Sequence, residues 1–313
     1  MSDVAVLPSA PADPAATDEQ PPARRRRRLP NFGVLFAIVF LGTVVFLAWF
    51  GDYLPFMRGA DTKIRVDGKL QSRYKQGPGN LAWWGSDANG FDVFSRCIFY
   101  AKNTLTIGVS ATAIGLFFGS LLGILAGYYR GWVDRVVSII VDSLLSIPAL
   151  VLAVMVVRRL DDIKVDISAL DWLTRKWQII FTLSILAVAP LARIVRAQTM
   201  ALREREFVTA ARSLGSTNSR ILLREILPNL VPAMVTVAAT GLGILIAAEG
   251  ALAFLGLGLD QSWGFMIEAN RRRLDEAWWA TVFPCLMLFL TVLSFNLIGD
   301  RLARRFDIRE AAV

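Results

Sequence analysis

Long uncharged apolar segments alternate with short charged segments along this chain of 313 residues. A helix needs about 20 residues to cross the hydrocarbon core of a bilayer. Only helices and closed barrels satisfy their backbone groups there. We therefore predict an all-α polytopic membrane protein with six transmembrane helices. The predicted spans are 29–51, 103–129, 136–157, 177–192 (continuing amphipathically to Met200), 226–248 (continuing past Glu249 to about Gly258) and 277–299.

The segments outside these spans predict the domain organisation. Residues 1–28 contain few large apolar side chains and end in five arginines, Arg24 to Arg28, which indicates a disordered basic tail. Residues 52–102 are too long for a plain connection and are predicted to form an extracytoplasmic segment. Residues 103–300 are predicted to form a five-helix core that carries an outer loop at 158–176 and a cytoplasmic loop at 203–228, followed by a cytoplasmic tail at 301–313.

Charge near the first span predicts the orientation. Basic residues are retained on the cytoplasmic side, and those next to a span end weigh most. The five arginines directly precede the first span. We expect both termini to be cytoplasmic.

Composition excludes several classes of protein. The chain is 55% hydrophobic and 19% charged, with no histidine and two cysteines. A serine–histidine–aspartate triad and histidine-ligated zinc are therefore excluded, and Cys97 and Cys285 are predicted to be unpaired thiols. The net charge of +8 is attributed to basic flanks of the spans rather than to nucleic-acid binding.

Glycines recur four residues apart in the second span, at 115, 119 and 123. Small residues at this spacing let two membrane helices approach closely. A packing face and chance spacing in a glycine-rich helix both remain open on the sequence alone.

The cytoplasmic loop contains a helical pattern. Its apolar residues fall at i, i+3, i+4 and i+7, which predicts one narrow apolar face. Glu206 lies at the helix start, where the dipole favours an acid, and Gly215 is predicted to end the helix. Ser216 or Thr217 is predicted to cap a second helix. The four apolar residues are Phe207, Ala210, Ala211 and Leu214. An amphipathic connector on the membrane surface and a helix docked in a partner's groove are both compatible with this pattern.

Six ordered motifs resemble the permease subunit (C-type) of dipeptide/oligopeptide/nickel-family ABC importers. The run from Ala210-Ala211 through Gly215 to Leu227-Pro228 is similar to the EAA loop of these permeases, with Thr209 in place of its first Glu and Glu225 in place of its Ile. The other five motifs are 84–96, then Asp134-Arg135 with Asp142 and Pro148, then Glu249 with 254–258 and 262–264, then 277–279, and 295–300.

The resemblance implies a type I ABC importer fold and a set of partners. These are a second (B-type) permease subunit, two cytoplasmic ATPases that carry ATP and Mg, and an extracytoplasmic binding protein that delivers peptides or similar small solutes. The chain has no Gly-x-x-x-x-Gly-Lys-Ser/Thr motif, so we expect it to be neither an enzyme nor a nucleotide binder. The residues implied in ATPase coupling are Glu206, Phe207, Ala210, Ala211, Arg212, Leu214 and Gly215, with Arg205 and Arg212 pairing with acidic groups on the ATPase rim.

Further departures from the family pattern are Ile308 after Asp307, where proline is common, and two features of the predicted outer segments. The 158–176 loop is longer than expected, and Asp260-Gln261 replaces a proline-rich stretch before Ser262. We expect 52–102 and 158–176 to contact the binding protein or to shape the pathway entrance.

Two acids fall inside predicted spans. A charge in mid-span is costly, so such residues usually face protein or water. Asp142 is open to structural pairing or pathway lining, and Glu249 to a structural role or to contact with a peptide's amino terminus. The alternatives to a peptide permease are an ion-coupled secondary transporter and a permease for a non-peptide solute such as a nickel chelate.

Overall fold

The computed structural model describes residues 32–310, apart from gaps at 56, 61, 67–68, 71–76, 81, 88 and 167–171. The tail predicted at 1–28 lies outside the described residues. The described part is almost entirely helical, with one short antiparallel β-hairpin. The helices and strands are α1 (Phe32–Phe50), β1 (Arg65–Val66), β2 (Lys69–Leu70), α2 (Val93–Tyr129), α3 (Gly131–Ser146), α4 (Ala149–Asp166), α5 (Arg175–Arg203), α6 (Glu206–Ser213), α7 (Asn218–Ile221), α8 (Leu227–Phe254), α9 (Trp263–Asn270), α10 (Leu274–Ala277) and α11 (Trp279–Glu310).

Five helical segments are long and apolar enough to cross a membrane. They are Phe32–Tyr53, Val93–Tyr129, Arg175–Arg203, Asn218–Phe254 and Trp279–Arg305. The sixth predicted span corresponds to a broken pair, α3 and α4. The membrane class predicted from the apolar segments is therefore confirmed.

We expected the third span, 136–157, to be one continuous helix, but the structure breaks it into two helices. α3 and α4 meet at a bend of 98°. Ile147 adopts an extended conformation (φ −91°, ψ 131°), as expected for a residue before proline, because the proline ring disfavours a helical conformation there. Pro148 also has no N–H to continue the hydrogen-bond ladder. The chain therefore changes direction within the segment that was predicted to be a single transmembrane helix.

The boundaries of three other predicted segments also differ. α2 begins at Val93, ten residues before the predicted span, because the Asp92 carboxylate accepts a hydrogen bond from the Ser95 amide (3.1 Å) and caps the helix. α4 continues to Asp166 and so occupies half of the predicted outer loop at 158–176. α11 continues to Glu310, into the predicted tail.

The α2–α5 pair is built on glycine. A Cβ at Gly119 would lie 2.8 Å from the Leu191 Cβ, and one at Gly123 would lie 2.7 Å from the Ala192 carbonyl oxygen. Gly115 faces α5 in the same way, and Gly127 adds a fourth position that the sequence analysis did not include. The glycines thus form a packing face that lets the two backbones approach.

Candidate functional site: the α6 surface and the charged span residues

α6 lies at one end of the helical bundle, which we call the coupling end. α5 leads into it, and α7 and α8 lead away from it. Gly215 has φ +79°, a left-handed conformation that glycine adopts without steric cost. Its amide donates to the Arg212 carbonyl (3.0 Å), and the Ser216 amide donates to the Ala211 carbonyl (3.1 Å). These bonds form a Schellman motif, so Gly215 ends the helix as predicted.

The second helix begins after Thr217, without the predicted side-chain cap. The Thr217 side chain makes no capping hydrogen bond, and its carbonyl accepts from the Ile221 amide (3.0 Å). Residues 222–226 then form a π-helical turn before α8. Such turns often occur at functional sites, and this one connects the α6–α7 hairpin to a membrane span.

Val208 attaches α6 to the rest of the chain. It is fully buried in an apolar cluster with residues of α2, α5 and the 221–230 segment. Ala211, one turn further on, is half-buried against the same cluster. We call this the seating cluster; its buried members are Tyr128, Val195, Val208, Ile221, Ile226 and Leu230.

Hydrogen bonds and an ion pair also connect the ends of α2 and α5 to the residues around α6. The Tyr128 hydroxyl donates to Asn218 Oδ1 (2.8 Å), and Arg203 Nη1 donates to the Tyr128 carbonyl (2.7 Å). Arg130 forms an ion pair with Glu204 (2.8 Å) across the surface. The ends of α2 and α5 therefore fix the base on which α6 lies.

The outward side of α6 combines apolar and charged residues. Leu214 is 86% exposed, Phe207 is 38% exposed, and Ala210 is also exposed. Arg205, Glu206 and Arg212 are exposed as well. We call this set, with Gly215, the α6 surface.

The structure divides the apolar face predicted for α6. Ala211 is half-buried and also packs against the seating cluster, whereas Phe207, Ala210 and Leu214 are exposed. Its contact with an ATPase therefore stays a prediction. Val208 was missed, although its spacing of three residues from Ala211 marks a second apolar face.

Asp142 and Asp134 pair with arginines of α5. Arg193 Nη2 donates to Asp142 Oδ1 (2.7 Å), and Arg196 binds Asp134 through two nitrogens. The Asp142–Arg193 pair is about 60% exposed in this chain, at the edge of a cavity of about 90 Å³ that Arg196 also lines. The ion pair supplies the structural partner that the sequence left open for Asp142, and a pathway role remains a prediction.

Pro148 lies at the bend between α3 and α4, beside an apolar cavity of about 210 Å³. Its lining includes Leu144, Leu145, Ile147 and Leu152, together with residues of α5. Pro148 therefore differs from the other candidate residues in that it marks a bend in the chain and not a charged site.

Glu249 is fully buried in α8, five residues before that helix ends. Neither carboxyl oxygen has a hydrogen-bond partner among the described residues. The Ser262 hydroxyl faces the carboxyl group without closing a hydrogen bond of normal geometry. α8 and α9 are in close contact here, since a Cβ at Gly264 would lie 2.8 Å from the Gly250 Cα.

The described ranges contain no cluster of three or more cysteine, aspartate or glutamate side chains suited to hold a metal. Both cysteines are free thiols, Cys97 buried and Cys285 exposed. The distinctive chemistry of these ranges is therefore an exposed apolar and basic helix surface at the coupling end, with ion pairs between spans.

The chain is similar to transport proteins of bacterial inner membranes. The family model described as "binding-protein-dependent transport system inner membrane component" matches residues 119–310. A dipeptide transport system permease protein from Alkalihalophilus pseudofirmus is 33% identical over 276 residues, covering 87% of this chain and 84% of that protein. A glutathione transport system permease protein from Escherichia coli is 35% identical over 286 residues, covering 90% and 87%.

Solved structures agree on the fold. An inward-facing structure of the MetNI methionine ABC transporter contains a chain that aligns with a TM-score of 0.55 and 23% identity, covering 66% of this chain and 93% of that one. At that identity the likeness concerns the fold alone.

Proposed function

This chain belongs to the family of binding-protein-dependent transport system inner membrane components, and we propose that it forms half of the translocation pathway of an ATP-driven importer. The resemblance to ABC importer permeases drawn from the six motifs is confirmed. The other half of the pathway would come from a B-type permease subunit, and a binding protein would deliver the solute. The family match favours this function over an ion-coupled secondary transporter.

The proposed substrates are peptides or similar small solutes. Relatives that align with most of this chain are named for dipeptide and glutathione transport. Both solutes carry free carboxylate and ammonium groups. The Asp142–Arg193 pair presents one charge of each sign on an exposed face, and charged groups within spans usually face protein or water rather than lipid. We therefore place this face, with the bend at Pro148, along the pathway.

The α6 surface is the proposed contact with the ATPases. The observation that supports it is Leu214, a leucine that is 86% exposed on a helix whose other side is buried through Val208. Such a residue is costly to leave in water and suits a groove on another protein. Arg205 and Arg212 would pair with acids at the groove rim.

This contact couples ATP hydrolysis to the spans. In the proposed mechanism, ATP and Mg bind to the partner subunits and draw the two ATPases together. α6 moves with its ATPase as a rigid body, and the seating cluster transmits the movement to α2, α5 and α8. If the bent α3–α4 pair counts as one crossing, the chain crosses the membrane six times, and with α6 in the cytoplasm both termini would lie there as well.

The proposal is tested by Leu214→Ser, with Leu274→Ser as the matched control. Leu274 is a 47% exposed leucine in α10, remote in sequence from α6. We expect Leu214→Ser to lower solute uptake and the amount of ATPase retained on the purified permease pair at least tenfold, while Leu274→Ser leaves both unchanged. Equal uptake and retention in the two variants would remove α6 from the coupling mechanism.

A further inference from the structure

The turn between α8 and α9, residues 255–262, lies at the end of α8 away from α6, which we call the distal end. Gly256 has φ +75°, and the Gly256 and Leu257 amides donate to the carbonyls of Ala253 and Leu252 (both 2.9 Å). The turn thus folds back on the last turn of α8 through its own backbone.

Leu257 inserts from this turn between the spans. It is 4% exposed and belongs to an apolar cluster with residues of α2, α4, α5 and α8. Members of the cluster from these helices include Ile107, Ala153, Val157, Ile179 and Ile180. One side chain of the turn therefore packs into the apolar cluster that α2, α4, α5 and α8 share.

Two side chains of other helices hold the turn in place. Arg175, the first residue of α5, donates from Nε to the Gly258 carbonyl (3.4 Å). Asn103 of α2 donates from Nδ2 to the Gln261 carbonyl (3.0 Å). Both acceptors are backbone carbonyls, so the bonds can break without leaving a charge unpaired on the turn.

Arg175 is itself oriented by α4. Its Nη1 atom lies 2.9 and 2.8 Å from the two carboxylate oxygens of Asp161 and donates to Gln178 Oε1 (3.2 Å). A charge-assisted bond to a carboxylate is stronger than a neutral one. Arg175 thereby connects α4, α5 and the turn at a single point.

The residues after the turn are fixed far more firmly. Trp263 is fully buried, its indole Nε1 donates to the Cys97 carbonyl (2.7 Å), and its amide donates to Thr104 Oγ1 (3.3 Å). The turn is therefore anchored at Trp263, the residue that follows it. Elsewhere it is held by the partly exposed hydrogen bonds from Arg175 and Asn103. That combination allows movement of Leu257 while α9 stays in place.

We propose that the 255–262 turn is the distal gate of the translocation pathway and that Arg175 is the positioning residue that keeps it closed. This inference rests on the proposed function, because an importer must open the two ends of its pathway in alternation. In the closed state Leu257 fills the space between α2, α4 and α5. Opening breaks the Arg175–Gly258 and Asn103–Gln261 bonds and withdraws Leu257.

The test uses a thiol reporter in place of Leu257. Leu257→Cys is introduced together with Cys285→Ser, which removes the exposed native thiol, and labelling by a membrane-impermeant maleimide is followed in membranes that contain the whole transporter. Arg175→Ala should raise the labelling rate about tenfold without nucleotide, the change for about 1.4 kcal/mol. Arg272→Ala, which removes an exposed arginine of the 271–273 turn after α9, is the matched control and should leave the rate unchanged.

A second arm separates a gate from a fixed turn. With Arg175 present, ATP and the loaded binding protein should raise the labelling rate of the reporter, and Asn103→Ala should raise the resting rate by a smaller factor than Arg175→Ala. Equal rates in Arg175→Ala and Arg272→Ala, or a reporter that does not respond to ATP in a transporter that hydrolyses it, would overturn the inference. The labelling rates without nucleotide do not depend on contact with the ATPases. The gate prediction can therefore fail while the Leu214→Ser prediction holds, and the Leu214→Ser prediction can fail while the gate prediction holds.

Discussion

Two helix ends in this protein have the same backbone and opposite surroundings. α6 ends at Gly215 (φ +79°) and α8 ends at Gly256 (φ +75°), each in a Schellman motif. The leucines that precede the two glycines are both exposed, Leu214 by 86% and Leu255 by 53%, whereas Leu257, which follows the second glycine, is 4% exposed. The two turns thus differ in the residue after the glycine, because the second turn buries Leu257 in the protein and the first has Ser216 at that place.

The two ends also differ in how their apolar residues are packed. At α6 the apolar residues that stabilise the position of the helix, Val208 and Ala211, are distinct from those that face outward. A partner can therefore bind or leave without disturbing the fold. At the distal turn the leucine is itself part of the packing, so any movement of the turn changes the protein's own interior.

Val208→Asp should produce the largest effect on the folded protein. It places a charge in the fully buried seating cluster of apolar side chains, and such changes cost several kcal/mol. Thermal unfolding of the purified protein in detergent should show a Tm lower by many degrees. Leu214→Asp, on the exposed side of the same helix, should leave the Tm within the error of the parent, and equal losses in the two variants would contradict the division of α6 into two sides.

Truncating the two leucines to alanine should give unequal costs. Leu257→Ala removes a buried side chain and should lower the free energy of unfolding by about 2–3 kcal/mol. Leu214→Ala should lower it by less than about 0.5 kcal/mol, because an exposed side chain loses no packing. Reversible unfolding in mixed micelles measures both, and a Leu214→Ala cost as large as that of Leu257→Ala would mean that Leu214 already packs within this chain.

The two glycines should give small and similar costs. An ideal Cβ at Gly215 or Gly256 meets nothing within 4 Å, so alanine brings only the conformational strain of a positive φ, about 1 kcal/mol. The same unfolding assay should therefore rank Gly215→Ala and Gly256→Ala together. A clearly larger cost at Gly256 would reveal packing strain at the distal turn that the structure does not show.

The sequence predicted the local features well and the contacts between distant residues poorly. Gly215 was found because a glycine after a helical apolar pattern has a direct backbone consequence. The bend at Pro148 was missed because proline alone does not decide it: Pro190 and Pro284 lie inside unbroken helices. At the bend, Ser146 Oγ donates to the Ser143 carbonyl (2.7 Å) and so satisfies a backbone group near the break.

The two hydrogen bonds that hold the 255–262 turn could not be predicted from the sequence pattern. Arg175 is 83 residues from Gly258, and Asn103 is 158 residues from Gln261. Both bonds end on backbone carbonyls, which every residue has, so no side-chain pattern marks them in advance. The sequence shows two separate departures from the family pattern, the longer 158–176 segment and the Asp260-Gln261 replacement. Only the folded chain shows that Arg175 connects α4 to the turn that contains Gln261.

The most direct test of the account is the protection of Leu214 by the ATPases. A Leu214→Cys reporter in the Cys285→Ser background should react rapidly with maleimide in the isolated permease and at least tenfold more slowly in the complex with the ATPases. Val208→Cys should remain unreactive in both states, because its side chain is buried by this chain alone. If Leu214→Cys reacts at the same rate with and without the ATPases, the α6 surface is not their docking site.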